Sequence, residues 1–210
     1  MINETFCNGI RNKNTPGVSG GTCMDEMIRE KIKQVKKGDQ SSFEDIVIYF
    51  QNRIYQHCYR MLGNAHEAED IAQEAFIRAY TNIDSFDNRK KFSTWLYRIA
   101  TNLTIDRLRK RKPDYFLDAE MKGTDGLDMY TRLPSQDRSP GEEVEGLELQ
   151  RFIHQEIARL PPKYRSIIML RYLEEFSLKE ISDILNIPLG TVKTRIHRGR
   201  EALRKKLRHV

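Results

Sequence analysis

The chain has 210 residues, 39% of them hydrophobic, and carries 36 Lys and Arg against 30 Asp and Glu for a formal net charge of +6. That length can bury one or two small cores, with two small domains the expected division, and the basic surplus points to a nucleic-acid partner. No apolar run approaches the roughly 18 residues of a membrane span and the amino terminus lacks a signal-peptide core, so a cytoplasmic protein is expected.

Residues 1–23, MINETFCNGIRNKNTPGVSGGTC, lack periodicity and are expected to be disordered. A first helix is expected over about 25–37. Phe43, Ile46, Val47, Phe50, Ile54, Cys58 and Met61 recur at helical spacing and mark a second helix, which Gly63-Asn64 ends. A third helix spans about 65–80. Its polar side holds Glu67, Glu69, Asp70, Gln73 and Glu74 with no positive charge before Arg78. DNA would repel that face, so a protein is its expected partner.

The segment 84–91, DSFDNRKK, and the aromatic start of the next helix, FSTWLY, bring polar groups, cations and rings together. Binding to exposed bases uses that mixture. Rings stack, cations follow the backbone, and polar groups read the edge of an extruded base. Trp95 lies three residues from Phe92 and four from Ile99, so its ring is expected in the core. Base contact falls first to Ser85, Phe86 and Asn88, with Arg89 and Lys91 beside them. Arg98 and Asn102 follow on the outer face of a fourth helix over about 92–112, whose core side is Phe92, Leu96, Ile99 and Leu103.

Residues 89–112 hold nine basic groups against Asp106, and residues 113–145 hold nine acidic against three basic. The acidic stretch is punctuated by Gly and Pro and reads as a mobile linker. Past it, Ser177 with Glu180 forms a capping box that starts a helix burying Leu178, Ile181 and Leu185. Asn186 and Pro188 break that helix, a turn with Pro and Gly follows, and Val192, Ile196, Gly199, Leu203 and Leu207 form the inner stripe of the next. Gly199 admits a close neighbour. Lys193, Thr194, His197 and Arg198 therefore point outward near the amino end, where a recognition helix reaches base edges. Arg195, Arg200, Arg204 and Lys205, with Lys206 and Arg208, are placed for phosphates. Residues 186–210 hold eight Lys or Arg against Glu201.

Cys7, Cys23 and Cys58 are odd in number and lack a CxxC pair, so neither a disulfide framework nor a zinc knuckle is indicated. Cys58 falls on the apolar stripe and is expected to be a buried thiol. His57, Cys58 and His66 lack metal-ligand spacing, and no metal site or cofactor is expected. The sequence has no glycine-rich phosphate loop and no Ser, His and acid grouping, so a non-enzymatic role is expected. Two rival readings are weighed on residues alone. A nucleic-acid enzyme, such as a nuclease or an RNA-modifying enzyme, would require carboxylates clustered around a metal, and here the acids lie on one helix face or in the linker. A stand-alone helix-turn-helix repressor or activator explains the second module and leaves the acidic helix without a role.

The acidic helix HEAEDIAQEAFIRAY, then NIDSFDNRKKFSTWLYRIATNLTIDRLRKRK, then LPPKYRSIIMLRYLEEFSLKEISDILNIPLGTVKTRIHRGREALRKKL, resemble a bacterial RNA polymerase sigma factor of the sigma-70 family. With only two modules the chain resembles the extracytoplasmic-function (ECF) subfamily, and its wording is closest to the sigma-W type of Bacillus relatives. The resemblance implies an all-α protein of two small helical domains joined by a flexible acidic linker. Residues 24–112 would be sigma region 2, residues 113–145 the linker, and residues 146–210 sigma region 4. It further implies that Asp70, Gln73 and Glu74 grip core RNA polymerase. The loop from Ser85 to Lys91, with Arg98 and Asn102, would melt and read the −10 element, and Lys193, Thr194, His197 and Arg198 would read the −35 element as duplex. A membrane-anchored anti-sigma factor, released by an envelope stress, is the implied regulator of a chain that is monomeric when free. Family members of this kind begin near Met24, and Gly20-Gly21 could be encoded by a ribosome-binding GGAGG, so the start at Met1 is expected to be misassigned.

One helix-turn-helix buries only about 600 to 1,000 Å² of protein surface on DNA, so neither module is expected to hold a promoter alone. The 33-residue linker can stretch to about 110 Å. That exceeds the roughly 60 Å between elements about 17 base pairs apart.

Overall fold

The structure, a computed structural model, describes residues 20–111, 152, 153 and 155–207, with side chains from 24 to 205 within those ranges. All regular elements among them are helical. The expectations for residues 1–19 and for the linker 113–145 lie outside the described residues.

Helix α1 runs Gly20–Lys36. It starts ahead of the expected residue 25, so residues 20–23, expected to be disordered, have a helical backbone. Once the buried stripe of Ile28, Ile32 and Val35 holds the helix, each added turn needs no new nucleation. The chain turns at Gly38, whose φ of 100° suits only glycine. The Asp39 carboxylate accepts from the Ser41 and Ser42 hydroxyls at 2.6 and 2.8 Å, which fixes the entry to α2, Ser41–Leu62. That helix buries Phe43, Ile46, Phe50, Ile54, Cys58 and Met61 as the stripe required. It ends at Gly63 in the left-handed region, φ 69°.

Helix α3, Ala65–Thr81, is capped by Asn64, whose side chain accepts from the Glu67 amide. Its buried face is mostly small, with Ala68, Ala72, Ala75 and Ala79 beside Ile71 and Phe76, so α2 and α3 pack closely. A 3-10 turn at Ile83–Ser85 leads by the loop 86–91 into α4, Phe92–Arg111. Cys58 is buried among these helices, and burial pushes its thiol up to about 11.

The second module opens with helical residues at 152, 153 and 155–158. Then come α5, Pro162–Tyr172, α6, Leu178–Leu185, and α7, Leu189–Leu207. Pro162 opens α5 at a position where the missing N–H costs nothing. The expected capping box closes α6: Ser177 N–H donates to Glu180 Oε2 at 2.9 Å and Glu180 N–H donates to Ser177 Oγ at 3.3 Å. Ile181 and Ile184 are fully buried there, while Leu178 and Leu185 are half-buried. The turn differs from expectation in one respect. Asn186, at φ 52°, makes the reversal that Gly190 was expected to share, and Gly190 lies inside the first turn of α7. Asn tolerates the left-handed region because its short side chain avoids most of the steric penalty. Gly199 does admit a close neighbour, since a Cβ there would lie 2.9 Å from Ile168 Cγ1.

The two modules pack directly, with α4 against α6. The Tyr97 and Phe176 rings meet edge to face at 4.9 Å. Arg165 of α5 donates to the Met61 carbonyl at the end of α2.

Candidate nucleic-acid interface

The outer face of α7 matches the expectation closely. Val192 and Ile196 are buried, and this turns Lys193, Thr194, His197 and Arg198 to solvent together. Thr194 Oγ1 donates to the Gly190 carbonyl at 3.0 Å, which orients its methyl and oxygen at the amino end of the helix. Arg200, Arg204 and Lys205 are exposed farther along, Arg204 lying 3.4 Å from Glu201. Arg195 is placed differently. It is half-buried beside Tyr164, and loss of solvation lowers its affinity for a proton. Its inward lean sets it apart from the other expected phosphate cations. Lys206 and Arg208 lie outside the described side chains.

The loop after α3 presents Ser85 and Arg89 to solvent and half-buries Asn88, whose Oδ1 accepts no hydrogen bond among the described residues. Arg89 pairs with Asp87 at 3.1 Å, a contact that holds the Asp87 carboxyl below its usual range. Arg98 and Asn102 are exposed on α4. Phe86 is the correction. Expected as a stacking ring, it is 4% exposed, packed against Phe92 at 5.5 Å and Trp95 at 5.1 Å. A ring closed into an apolar cluster offers no face to a base. Ile83 and Phe86, three apart on a 3-10 turn whose residues eclipse at that spacing, form one inward pair. That spacing was the missed signal. Trp95 packs on the core as expected.

Lys91, counted among the cations of this loop, reaches across the module boundary to Glu180 at 3.0 Å. The hydrogen bond from Lys91 raises its own proton affinity. Burial works to raise Glu180, but bonds from Ser177 and Lys91 outweigh it and the carboxyl is held low. A second tie lies deeper. Tyr97 Oη donates to Glu174 Oε2 at 2.6 Å, Arg60 lies 3.5 Å from Glu174 Oε1 and His57 Nδ1 lies 3.9 Å from the same atom. Burial pushes the Glu174 carboxyl and the Tyr97 hydroxyl up, the latter with help from Glu174 itself. His57 is fully enclosed, its Nε2 sharing a 3.0 Å hydrogen bond with Thr101 Oγ1. Burial, then the Arg60 charge, depresses it to about 4, so it is neutral at physiological pH.

In the first module, α2 and α3 border an open groove of about 560 Å³ lined by Val47, Gln51, Asn52, Tyr55, Glu69, Ala72, Gln73 and Phe76. Of the acidic-face residues singled out, Glu69 and Gln73 line it. Asp70 is exposed on the same helix, and Glu74 is half-buried and bonded to Arg78 at 2.7 Å. Glu67 is drawn the other way, to Arg111 at 2.5 Å and Arg107 at 3.6 Å. The α2 wall of the groove escaped the sequence reading. Gln51 and Asn52 sit between core positions with nothing to distinguish them from a solvated face.

Residues 46–113 match the family model for sigma-70 region 2, and residues 152–203 that for sigma-70 region 4. The chain is 67% identical over 187 residues to the ECF RNA polymerase sigma factor SigW of Bacillus subtilis, covering 89% of this chain and all of that one. It is 34% identical over 186 residues to the RNA polymerase sigma-H factor of Pseudomonas aeruginosa, covering 87% and 94% of the two chains. Among solved structures, CnrH in complex with the cytosolic domain of CnrY superposes with a TM-score of 0.63 at 22% identity, over 87% of this chain and 98% of that one. The sigma factor RpoE with the anti-sigma factor NepR from Bartonella quintana gives 0.57 at 22%, over 79% and 96%. These two likenesses show the all-helical fold.

Proposed function

The chain belongs to the ECF sigma factors of the sigma-70 family, and from that premise we propose how its surfaces divide the work. The α2–α3 groove, with Gln73 and Glu69 on one wall and Gln51 and Asn52 on the other, docks on core RNA polymerase, with Asp70 and Glu74 on the same helix. The loop holding Ser85, Asn88 and Arg89, continued by Arg98 and Asn102, takes the melted −10 strand. Lys193, Thr194, His197 and Arg198 read the −35 element in the major groove. The polypeptide works in the cytoplasm and leaves bond making to the polymerase. An anti-sigma factor holds it inactive until an envelope stress. The likeness to RpoE, solved as a sigma factor in complex with the anti-sigma factor NepR, supports the anti-sigma partner by fold alone.

The observation that carries this reading is the outer face of α7. Four side chains able to bond base edges share one exposed surface, set there by the buried Val192 and Ile196. The docked modules add a requirement. A packed body of this length is about 40 Å across, short of the roughly 60 Å that separates two elements about 17 base pairs apart. The packed form is therefore the resting form, and the modules part on the promoter.

Purified core polymerase and a matching template test the proposal. Added chain is expected to start transcripts at one site. Lys193→Ala or Arg198→Ala is expected to cost about 1 to 3 kcal/mol of −35 discrimination, and Asp70→Arg to weaken core binding. Transcription indifferent to the chain overturns the proposal. Tight promoter binding without core, and no initiation with it, restores the stand-alone repressor.

A further inference from the structure

Lys36 closes α1, in the part of the chain that precedes the region 2 match. Its ammonium crosses to the loop after α3, donating to the Phe86 carbonyl at 2.7 Å and to the Asp84 carbonyl at 3.2 Å. Those two carbonyls flank Ser85. The 84–85 and 86–87 peptides, before and after the exposed serine, are thus held by one cation some fifty positions earlier in the sequence. The rest of the turn is anchored from within: Ser85 N–H donates to the Asn82 carbonyl at 3.0 Å and Phe86 N–H to the Ile83 carbonyl at 3.1 Å. The Ile83 and Phe86 side chains are buried beneath it.

We infer that Lys36 is a positioning residue for promoter reading, fixing the backbone from which Ser85, Asn88 and Arg89 meet the extruded base. The inference rests on the assignment of this loop to the −10 strand. A binding group gains selectivity when its supports hold it before the ligand arrives, because ordering is then not charged to binding. A three-residue 3-10 turn has few hydrogen bonds of its own, and the carbonyls at its exit point away from any helical partner. A Lys ammonium carries three donors, enough for both carbonyls and one contact more. Lys36 itself touches no base in this geometry. Its effect is to reduce the number of loop conformations among which a correct and an incorrect base are compared.

The test uses the full chain with core polymerase on templates already opened across the −10 element, so that melting is not measured. One template carries the preferred flipped base and the other a substituted one. Lys36→Met, which keeps the length of the side chain and removes its donors, is expected to reduce the ratio of the two affinities about tenfold, the scale of one paired base contact. Core affinity and −35 discrimination should be unchanged. Lys36→Arg, with a fork able to reach both carbonyls, is expected to restore most of the ratio, and Lys36→Gln, with one amide to offer, to fall between. A Lys36→Met chain that melts earlier yet keeps the parent ratio would show a support for stability alone and overturn the inference. So would equal ratios for Met, Gln and Arg. If Lys36→Met fails to fold, the Gln and Arg ratios decide by themselves. Failure of the parent chain to distinguish the two templates would instead remove the assignment of the loop.

Discussion

Glu174 is the residue whose loss should reveal how firmly the two modules hold each other. In Glu174→Ala the Tyr97 hydroxyl loses its 2.6 Å acceptor and Arg60 loses its partner. A hydrogen bond to a charged group contributes about 1.5 to 3 kcal/mol. The Arg60 pair adds less, because the Arg60 side chain is 33% exposed and pairs of that kind give about 0 to 1 kcal/mol. Against this stands the relief of a carboxylate that burial disfavours, which the raised proton affinity of Glu174 records. The net loss is about 2 kcal/mol, which multiplies the parted fraction about thirtyfold. Energy transfer between dyes at Glu44→Cys and Arg204→Cys, both exposed positions, with Cys7 and Cys23 replaced, reads the separation directly. Cys58 can stay, since its buried thiol is pushed up to about 11 and reacts little. The mutant is expected to shift from one short distance toward a long and broad one, and polymerase added to the parent should produce the same shift. Identical distance distributions for mutant and parent would refute the reasoning, because the polar tie would then contribute nothing to docking.

Glu180→Gln should separate the two duties of that side chain: a glutamine still accepts from Ser177 N–H and keeps the capping box, so module stability in urea should hold while the long-distance population grows by a few-fold at most, the Lys91 pair being half exposed. Glu180→Ala should lose both, with about 1 kcal/mol of stability gone from the cap. His57 sets a pH dependence. With its folded value near 4 against 6.5 free, the unfolded chain gains the proton first, so stability is full above about pH 6.5 and falls as pH drops toward 4, by up to about 3 kcal/mol. Glu174, raised by burial, works in the opposite direction below neutrality; denaturant titrations from pH 7.5 to 4.5 should show a slope that His57→Gln flattens. Gly199→Ala would set a methyl 2.9 Å from Ile168 Cγ1 and is expected to lower stability by about 1 to 3 kcal/mol, seen as a reduced Tm with no change in the outer face of α7.

Period and punctuation made the helices legible. The stripe from Phe43 to Met61 and the stop at Gly63 reproduce α2, and Ser177 with Glu180 locates the start of α6. The outer face of α7 followed from the same source, because fixing Val192 and Ile196 inside leaves no freedom about Lys193, Thr194, His197 and Arg198. What escaped was held by contacts from another element. Phe86 has the composition of an exposed loop ring; its spacing from Ile83 is a faint local sign, and Phe92 and Trp95 of the next helix close it in. Lys36 resembles any basic residue near a helix end until the loop 50 positions later folds over it. Glu174 and Tyr97 are 77 positions apart, and neither has a local reason to be buried. Local periodicity reports on one element at a time, whereas each of these residues acquires its role from a second element.

On the proposed division of work, docking and DNA binding also compete for charge, and the resting form then need not be very stable to be effective. Lys91 is bound to Glu180 in the packed form, so the loop proposed for the −10 strand would meet DNA with one cation already neutralised. Freeing Lys91 costs little, about 1 kcal/mol or less for an exposed pair. The larger barrier is the buried tie at Glu174, which no phosphate can reach. Free DNA, offering only phosphate contacts that weaken steeply with salt, therefore has little means of prying the modules apart. A ligand that binds only the parted form has its apparent affinity reduced by the fraction that is parted. For DNA that must meet both readers at their promoter spacing, that reduction removes most of the binding at cellular salt. For a polymerase interface of nanomolar strength, about 12 kcal/mol, a cost of a few kcal/mol is a minor deduction. On this proposal, the same polar contacts that keep the two exposed readers from spanning a promoter yield to the machine that needs both.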